Sequence, residues 1–346
     1  MKLKFSDPQL NFLVGINVLV LVAATVLSHG EFLDVYNFQS MASQMPELGL
    51  LAIGVALSMI SGNGGIDLSG IALANLSGVV AASVAPHVVS ADDAPWAYTG
   101  VFVAVTLLTG LAGGLLNGLL ISRIGLTPIL CTLGTQLVFT GFAVVLTGGS
   151  SLRIGAADPL SAIGNEYLWG VPIPFLVFMA ALLAVGWLLR STAFGLRLYL
   201  LGTNAKAARY AGIAQDRMLT ATYAASGLLS ACAGVIIAAR TASVKSDYGT
   251  SYLLIAILIA VMAGVRPQGG YGRMVCLFFS ALALQLLSST FNLLDIPQFF
   301  RDCAWGALLL LFLASARVDL RRLHTFTPRS GAPSRQSPPG ATRTPT

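Results

Sequence analysis

Apolar residues in this chain gather into ten long runs rather than alternating or recurring on one helical face. They fall at about 10–28, 48–60, 69–89, 98–121, 127–147, 173–189, 218–239, 251–265, 274–290 and 299–315. A bilayer core of about 30 Å needs roughly 20 apolar residues in a helix, so runs two and eight are short. Both lead into glycine-rich breaks. The first break, Ser61 to Ser69, contains Gly62, Asn63, Gly64, Gly65 and Asp67; the second extends from Gly264 to Arg273. Glycine weakens a helix interior, and an ionised carboxylate is expensive in lipid. Irregular backbone near membrane depth must therefore be buried in protein or line a wet cavity. The first break reads either as a tight turn between spans or as a broken helix on a transport route.

Composition sharpens this into a class. The 346 residues are 55% hydrophobic and 10% charged, with a mean hydropathy of +0.79. Soluble domains carry about 25% charged residues, so the expected fold is an all-α polytopic membrane protein of about ten transmembrane helices. Both termini are expected in the cytoplasm. With the N-terminus inside, only Arg153, Arg240, Lys245 and Arg301 fall outside, leaving 16 of the 20 Lys and Arg on the inner face. The net charge of +6 is explained by this asymmetry, with no nucleic-acid partner required. Lys2 and Lys4 precede an apolar run too long for a cleaved signal core, which is read as an uncleaved first span. Cys131, Cys232, Cys276 and Cys303 form no C-x-x-C pair, and His29, His87 and His324 are scattered, so neither a metal site nor a disulfide framework is expected.

Polar residues retained near or within the runs are the candidates for chemistry. An outer loop is expected to carry Glu31, Asp34 and Glu47, which leaves Asp67 as the acidic residue beside a break. Asn75 lies about two turns beyond it. Run five carries Thr132, Gln136 and Thr140 at i, i+4, i+8, with Thr135 adjacent, and run nine carries Gln285, Ser288 and Ser289. Such stripes either hydrogen-bond other helices or line a hydrophilic path. Asn63, Asp67, Asn75, Thr132, Gln136, Thr140, Gln285 and Ser288 are the candidate substrate-path residues. Asp67 is expected to hold the break open as a local acceptor rather than to grip substrate. Gly110, Gly114 and Gly118 in run four, and Ser226, Ser230 and Gly234 in run seven, are close-packing faces. Residues 148–172 form the longest outer loop, a candidate docking surface.

On the inner side, the 190–217 loop contains a short self-capped helix. Asn204 is a good N-cap, residues 205–211 are helix formers and Gly212 suits the C′ position. Lys206, Arg209 and Tyr210, carried on slim Ala207 and Ala208, could serve as a membrane-surface anchor or as a plug for a partner's groove. Runs two to five and seven to ten suggest an inverted repeat by topology alone. The tail at 325–346 is rich in Pro, Ser and Gly and is expected to be disordered and cytoplasmic.

Four segments together resemble the permease subunits of bacterial ATP-driven importers for simple sugars, the ribose-type group within the branched-chain permease superfamily. These are Gly64 to Ser69; Gly114 to Gly118 running into Leu126 to Thr135; Gly202 to Ile213; and Gly264 to Arg273. The resemblance covers roughly residues 48–315 and treats 1–324 as one transmembrane permease domain. It implies a permease dimer, two cytoplasmic ATPase subunits and an external or periplasmic substrate-binding protein. It also implies that residues 204–211 form the helix that couples to the ATPase. The chain departs from many relatives at Ser251 and Tyr252, where an acidic residue is common, and at Ala263 to Pro267. The stretch Ser246 to Leu254 is closer to the branch handling deoxy-sugars and small furanoses.

The chain has no G-x-x-x-x-G-K-[ST], so ATP hydrolysis would have to reside on a separate chain, and no cofactor is implied. Two other readings remain: a branched-chain amino-acid permease of the same superfamily, and an ion-coupled secondary carrier. The carrier would be expected to hold ionisable residues in mid-span. An intramembrane enzyme would require clustered His, Asp, Glu or Cys, which the runs lack.

Overall fold

The computed structural model describes residues 7–155 and 157–317. Lys2, Lys4 and the 325–346 tail lie outside the described residues. The described chain is all-α apart from two small two-stranded sheets. Its helices in order are α1 (Pro8–Leu27), α2 (Val35–Ile60), α3 (Gly70–Val88), α4 (Pro95–Ser122), α5 (Pro128–Thr147), α6 (Asp158–Asn165), α7 (Ile173–Ser191), α8 (Ala193–Thr203), α9 (Ala205–Tyr210), α10 (Gln215–Thr241), α11 (Tyr252–Met262), α12 (Met274–Leu293) and α13 (Gln298–Arg317). Each of the ten apolar runs corresponds to one of these helices. Eight of them (α1, α2, α3, α4, α5, α7, α10 and α12) are long and apolar enough to cross a membrane, while α11 is apolar but only 11 residues long.

Two helices, α2 and α10, form the buried centre, and the others wrap them. The α4–α10 contact is built on small residues. A Cβ on Gly114 would sit 2.4 Å from the Tyr223 carbonyl oxygen, one on Gly118 2.7 Å from Thr220 Cα, and one on Gly227 2.2 Å from the Gly110 carbonyl oxygen. In lipid, where apolar burial gives little preference for helix over tail, this backbone-to-backbone approach supplies the association energy. Gly234 similarly lies against Ala74 of α3, so both predicted packing faces are used for packing.

The structure departs from the sequence-based expectations in three places. Run two is not a short span: α2 begins at Val35, capped by the Asp34 carboxylate, which accepts from the Tyr36 N–H at 3.1 Å. Polar residues that suggested a loop find partners inside the bundle. Asn37 donates to the Phe32 carbonyl at 2.9 Å and accepts from Ser289 at 2.7 Å, and Glu47 is fully buried within the helix. The 190–217 loop contains an additional 11-residue helix, α8, whose N-cap Thr192 accepts from the Gly195 N–H. The long 148–172 loop is also structured. It holds α6 and a hairpin pairing β2 (Tyr167–Leu168) with β3 (Val171–Pro172), while β1 (Leu152–Arg153) pairs antiparallel with β4 (Ser243–Val244).

Replacing Gly227 with valine should separate α4 from α10 and cost about 1–3 kcal/mol, as overpacking does elsewhere. A clear fall in the detergent-solubilised unfolding temperature is expected. Gly100→Ala, at a helical position with nothing within 4 Å, should leave that temperature unchanged.

Candidate functional site

The first break is held by its own carboxylate. Asp67 is buried; its Oδ1 accepts from the Ser69 N–H (3.0 Å) and Ser69 Oγ (2.7 Å), and its Oδ2 accepts from Ser226 Oγ of α10 (2.7 Å). The Asp67 N–H donates to Ser58 Oγ at 3.1 Å, and Asn117 of α4 donates to Ser69 Oγ at 2.8 Å. Charge-assisted bonds of this kind are about twice as strong as neutral ones, and here they bind the break to both α4 and α10. Thr132 of α5 donates to the Ile66 carbonyl at 3.0 Å, which closes the other side.

The two breaks meet. The Gly270 N–H donates to the Ile60 carbonyl (3.0 Å), and the Gly64 N–H donates to the Pro267 carbonyl (3.2 Å). The end of α8 enters the same junction. A Cβ on Gly62 would be 2.8 Å from Gly202 Cα, one on Gly269 2.3 Å from Gly62 Cα, and one on Gly202 2.0 Å from the Ile60 carbonyl oxygen. Gly62 and Gly269 also have φ of 84° and 93°, a region that side chains rarely adopt. Tyr199 of α8 donates to the Gly272 carbonyl at 2.6 Å. Three chain segments distant in sequence are therefore packed backbone to backbone. This junction is the root of α9, which follows α8 directly.

Helix α9 is capped as its sequence predicts. Asn204 Oδ1 accepts from the Ala207 N–H at 3.0 Å, and the Ile213 N–H donates to the Ala208 carbonyl at 3.0 Å across Gly212, which has φ of 78°. Ala208 packs into the core, whereas Lys206, Ala207, Arg209 and Tyr210 point outward, Tyr210 being 94% exposed.

A second polar cluster, absent from the sequence reading, lies in the half of the bundle away from the glycine junction. Glu47 of α2 pairs with Arg240 of α10 and also accepts from the hydroxyls of Tyr248 (3.1 Å) and Tyr252 (3.3 Å). Asn75 donates to the Tyr248 carbonyl at 2.9 Å, so its amide fastens the segment before α11. The expectation that Glu47 sits in an outer loop is thus wrong. Hydropathy counting dropped it because Pro46 and several polar residues precede it. The Asp34 cap at the true start of α2 was the signal that could have placed it.

The predicted path residues do not converge on one place. Gln285 and Ser288 line a cavity of about 190 Å³ between α2, α11, α12 and α13. Asn63, Asp67 and Thr132 belong to the first break, with Asn63 exposed at φ 57°. Gln136 and Thr140 are half-buried on α5, where the Gln136 Oε1 is buried without a hydrogen-bond partner. No group of three or more His, Cys, Asp or Glu able to hold a metal occurs among the described residues.

This architecture, with buried central helices, satisfied breaks and an outward-facing capped helix, defines a multi-pass membrane transport subunit. Over residues 37–313 the chain matches the family described as "Branched-chain amino acid transport system / permease component", and it belongs to that family. It is 33% identical over 299 residues to the ribose import permease protein RbsC of Bacillus subtilis, covering 86% of this chain and 89% of that protein. It is 31% identical to RbsC of Escherichia coli K12, covering 86% and 90%. Against the autoinducer 2 import system permease protein LsrD of Yersinia enterocolitica it is 30% identical, covering 86% and 88%. A solved ABC transporter of metal-chelate type, in an inward-facing conformation, shares the fold alone, with a TM-score of 0.50, 18% identity and coverage of 92% and 98%. The chain is a multi-pass permease of the inner membrane.

Two expectations follow from these geometries. Asp67→Asn keeps Oδ1 as an acceptor and should reduce transport less than Gly65→Val, whose first added carbon would lie 2.2 Å from the Ser58 carbonyl oxygen. Equal losses in variants inserted at parental levels would show that Asp67 does more than hold the break. Removing Arg240 alone should cost about 3–5 kcal/mol, because it strands the buried Glu47 carboxylate. Thermal unfolding of Arg240→Met should accordingly fall well below that of the Glu47→Gln, Arg240→Met double variant.

Proposed function

We propose that the chain is the membrane-spanning subunit of an ATP-driven importer that moves a neutral monosaccharide, or a similar small polyol or furanose, across the inner membrane. ATP hydrolysis belongs to separate cytoplasmic ABC subunits, and an external binding protein delivers the substrate. A second permease copy or paralogue completes the path. In this arrangement both termini and the 190–217 loop face the cytoplasm, and 1–324 acts as one permease unit. The apolar face that α5 leaves open, including Leu130, Leu137 and Val145, meets lipid or the second permease.

The observation that carries this reading is α9. A six-residue helix is far below the roughly 12–15 residues at which an isolated helix is even marginal. It is held by its caps and by Ala208 in the core, yet it presents an exposed aromatic ring and two cations that have no ion-pair partner among the described residues. A capped, protruding helix with an aromatic anchor flanked by basic residues fits a groove edged with acidic side chains. The glycine junction at its root gives movement of that groove a rigid route to both membrane breaks. Relatives named as ribose and autoinducer 2 import permeases support the same assignment.

Two exposed positions test this without disturbing the core. Tyr210→Ala and Ala207→Gly should leave the chain's own unfolding temperature within a degree or two. They should lower substrate-stimulated ATP hydrolysis in the reconstituted complex by at least about tenfold, the effect of losing about 1.4 kcal/mol at an interface hot spot. Parental stimulation in both variants would reduce α9 to a membrane-surface anchor and remove the main support for an ATP-driven importer.

A further inference from the structure

Among the described residues two carboxylates are buried in the bundle, and only one of them has a counter-charge. Glu47 pairs with Arg240. Asp67 is 2% exposed, and no Lys or Arg among the described residues pairs with it. Burying an unpaired charge is prohibitive. The N-terminus of α3 lies beside Asp67 and offers roughly half an elementary charge, so part of the carboxylate's charge stays unbalanced. Both carboxylate oxygens already accept hydrogen bonds, Oδ1 from Ser69 and Oδ2 from Ser226, which is the pattern of an acceptor-only, ionised group.

Two further oxygens beside Asp67 are buried and have no hydrogen-bond partner among the described residues: Asn117 Oδ1 and the Tyr223 hydroxyl, both on residues with no exposed surface. Their placement follows from the bonds around them. Ser69 Oγ donates its one proton to Asp67, so toward Asn117 it can only accept; this turns the Asn117 Nδ2 to Ser69 and leaves Oδ1 free. Tyr223 lies one helical turn before Ser226 on the same face of α10, close enough for its hydroxyl to interact electrostatically with the Asp67 carboxylate. Gly114, one turn before Asn117, packs against the Tyr223 carbonyl and brings those turns of α4 and α10 together. A water molecule would serve the two oxygens and leave the charge; a proton on Asp67 would remove the charge and leave an oxygen unserved. A bound cation does both, because it neutralises the carboxylate and takes lone pairs from the amide and hydroxyl oxygens.

We propose that Asp67, Asn117 and Tyr223 form a binding site for one monovalent alkali cation, which locks the first break to α4 and α10. A single carboxylate joined by neutral amide and hydroxyl oxygens is a hard donor set of one negative charge. A divalent ion there would leave a net positive charge buried beside that lone carboxylate, the same cost with the sign reversed. The site shares no residue with the cavity lined by Gln285 and Ser288. It stands independently of the importer reading, since it concerns how the break is held and not what is carried.

The full chain in nanodiscs of zwitterionic phosphatidylcholine, which add no anionic lipid sites, is unfolded thermally in NaCl, KCl and N-methyl-D-glucamine chloride at one ionic strength. Sodium or potassium should raise the unfolding temperature saturably, by a few degrees over N-methyl-D-glucamine, as a ligand selective for the folded state does. The ion that acts at the lower concentration is the one the site selects. Equilibrium binding of radioactive sodium and of rubidium, as a potassium substitute, should show a single saturable class for that ion, with empty nanodiscs as the blank. Tyr223→Phe removes only an unpartnered hydroxyl. It should leave the unfolding temperature in N-methyl-D-glucamine close to parental and weaken the cation midpoint by about tenfold, the effect of one lost oxygen ligand. A merely structural hydroxyl would instead lower the temperature alike in all three salts. Asp67→Asn should abolish the saturable response. The proposal is overturned if the parental unfolding temperature is the same in all three salts, which would assign the two oxygens to ordered water. It is equally overturned if only Mg²⁺ or Ca²⁺ stabilises the chain, or if either variant binds the cation like the parent.

Discussion

Backbone that leaves the helix inside a membrane domain has no water to satisfy its amides, and this structure solves that problem by making its two breaks satisfy each other. The Gly270 N–H caps the Ile60 carbonyl at the end of α2, and the Gly64 N–H reaches the Pro267 carbonyl. Each orphaned amide would otherwise cost about 1–3 kcal/mol. This exchange requires the two backbones to touch, which explains why glycines crowd the junction: at Gly62, Gly202 and Gly269 an added carbon would meet another main chain at under 3 Å. Asp67 then bonds the first break to α10 through Ser226, making the junction part of the central helix pair.

Helix α2 links this junction to the Glu47–Arg240 cluster. From Glu47 to Ile60 it rises about 20 Å at 1.5 Å per residue, and over that length every residue except the half-buried Leu48 is buried. At one end it is bonded to α10, Tyr248 and Tyr252, and at the other it is packed against the root of α9. A displacement of α8 and α9 therefore has a stiff path to the cavity lined by Tyr252 and Gln285, with close-packed backbone and buried polar bonds along it and no flexible linker between. In a coupled transporter such a connection would let an event on one face change access at the other.

The membrane class, the number of apolar runs and the caps of α9 were legible in the sequence because each depends on local chemistry. Runs of apolar side chains cannot stay in water, Asn204 caps the helix that follows it, and Gly212 accepts a positive φ at little cost wherever it occurs. The close-packing glycines of α4 were legible for the same reason, since four-residue spacing puts them on one face in any helix. Glu47 was not legible. A carboxylate after a proline and a polar stretch looks like loop, and only Arg240, distant in the chain, makes its burial affordable.

By itself, then, the sequence determined what depends on short-range physics: an all-α membrane chain, two breaks in its spans, and a capped helix on a basic loop. Tertiary structure decided what depends on which segments meet. It joined the two breaks to each other and to α8, and it separated the polar stripes of α5 and α12 that a common path would have merged. It also left Gln285 unpartnered in a cavity while consuming the amide of Asn75 in a structural bond. A polar side chain in a membrane helix announces that it needs a partner. Whether that partner is another helix or an incoming solute is set by the space around it, and that space is a property of the packed bundle.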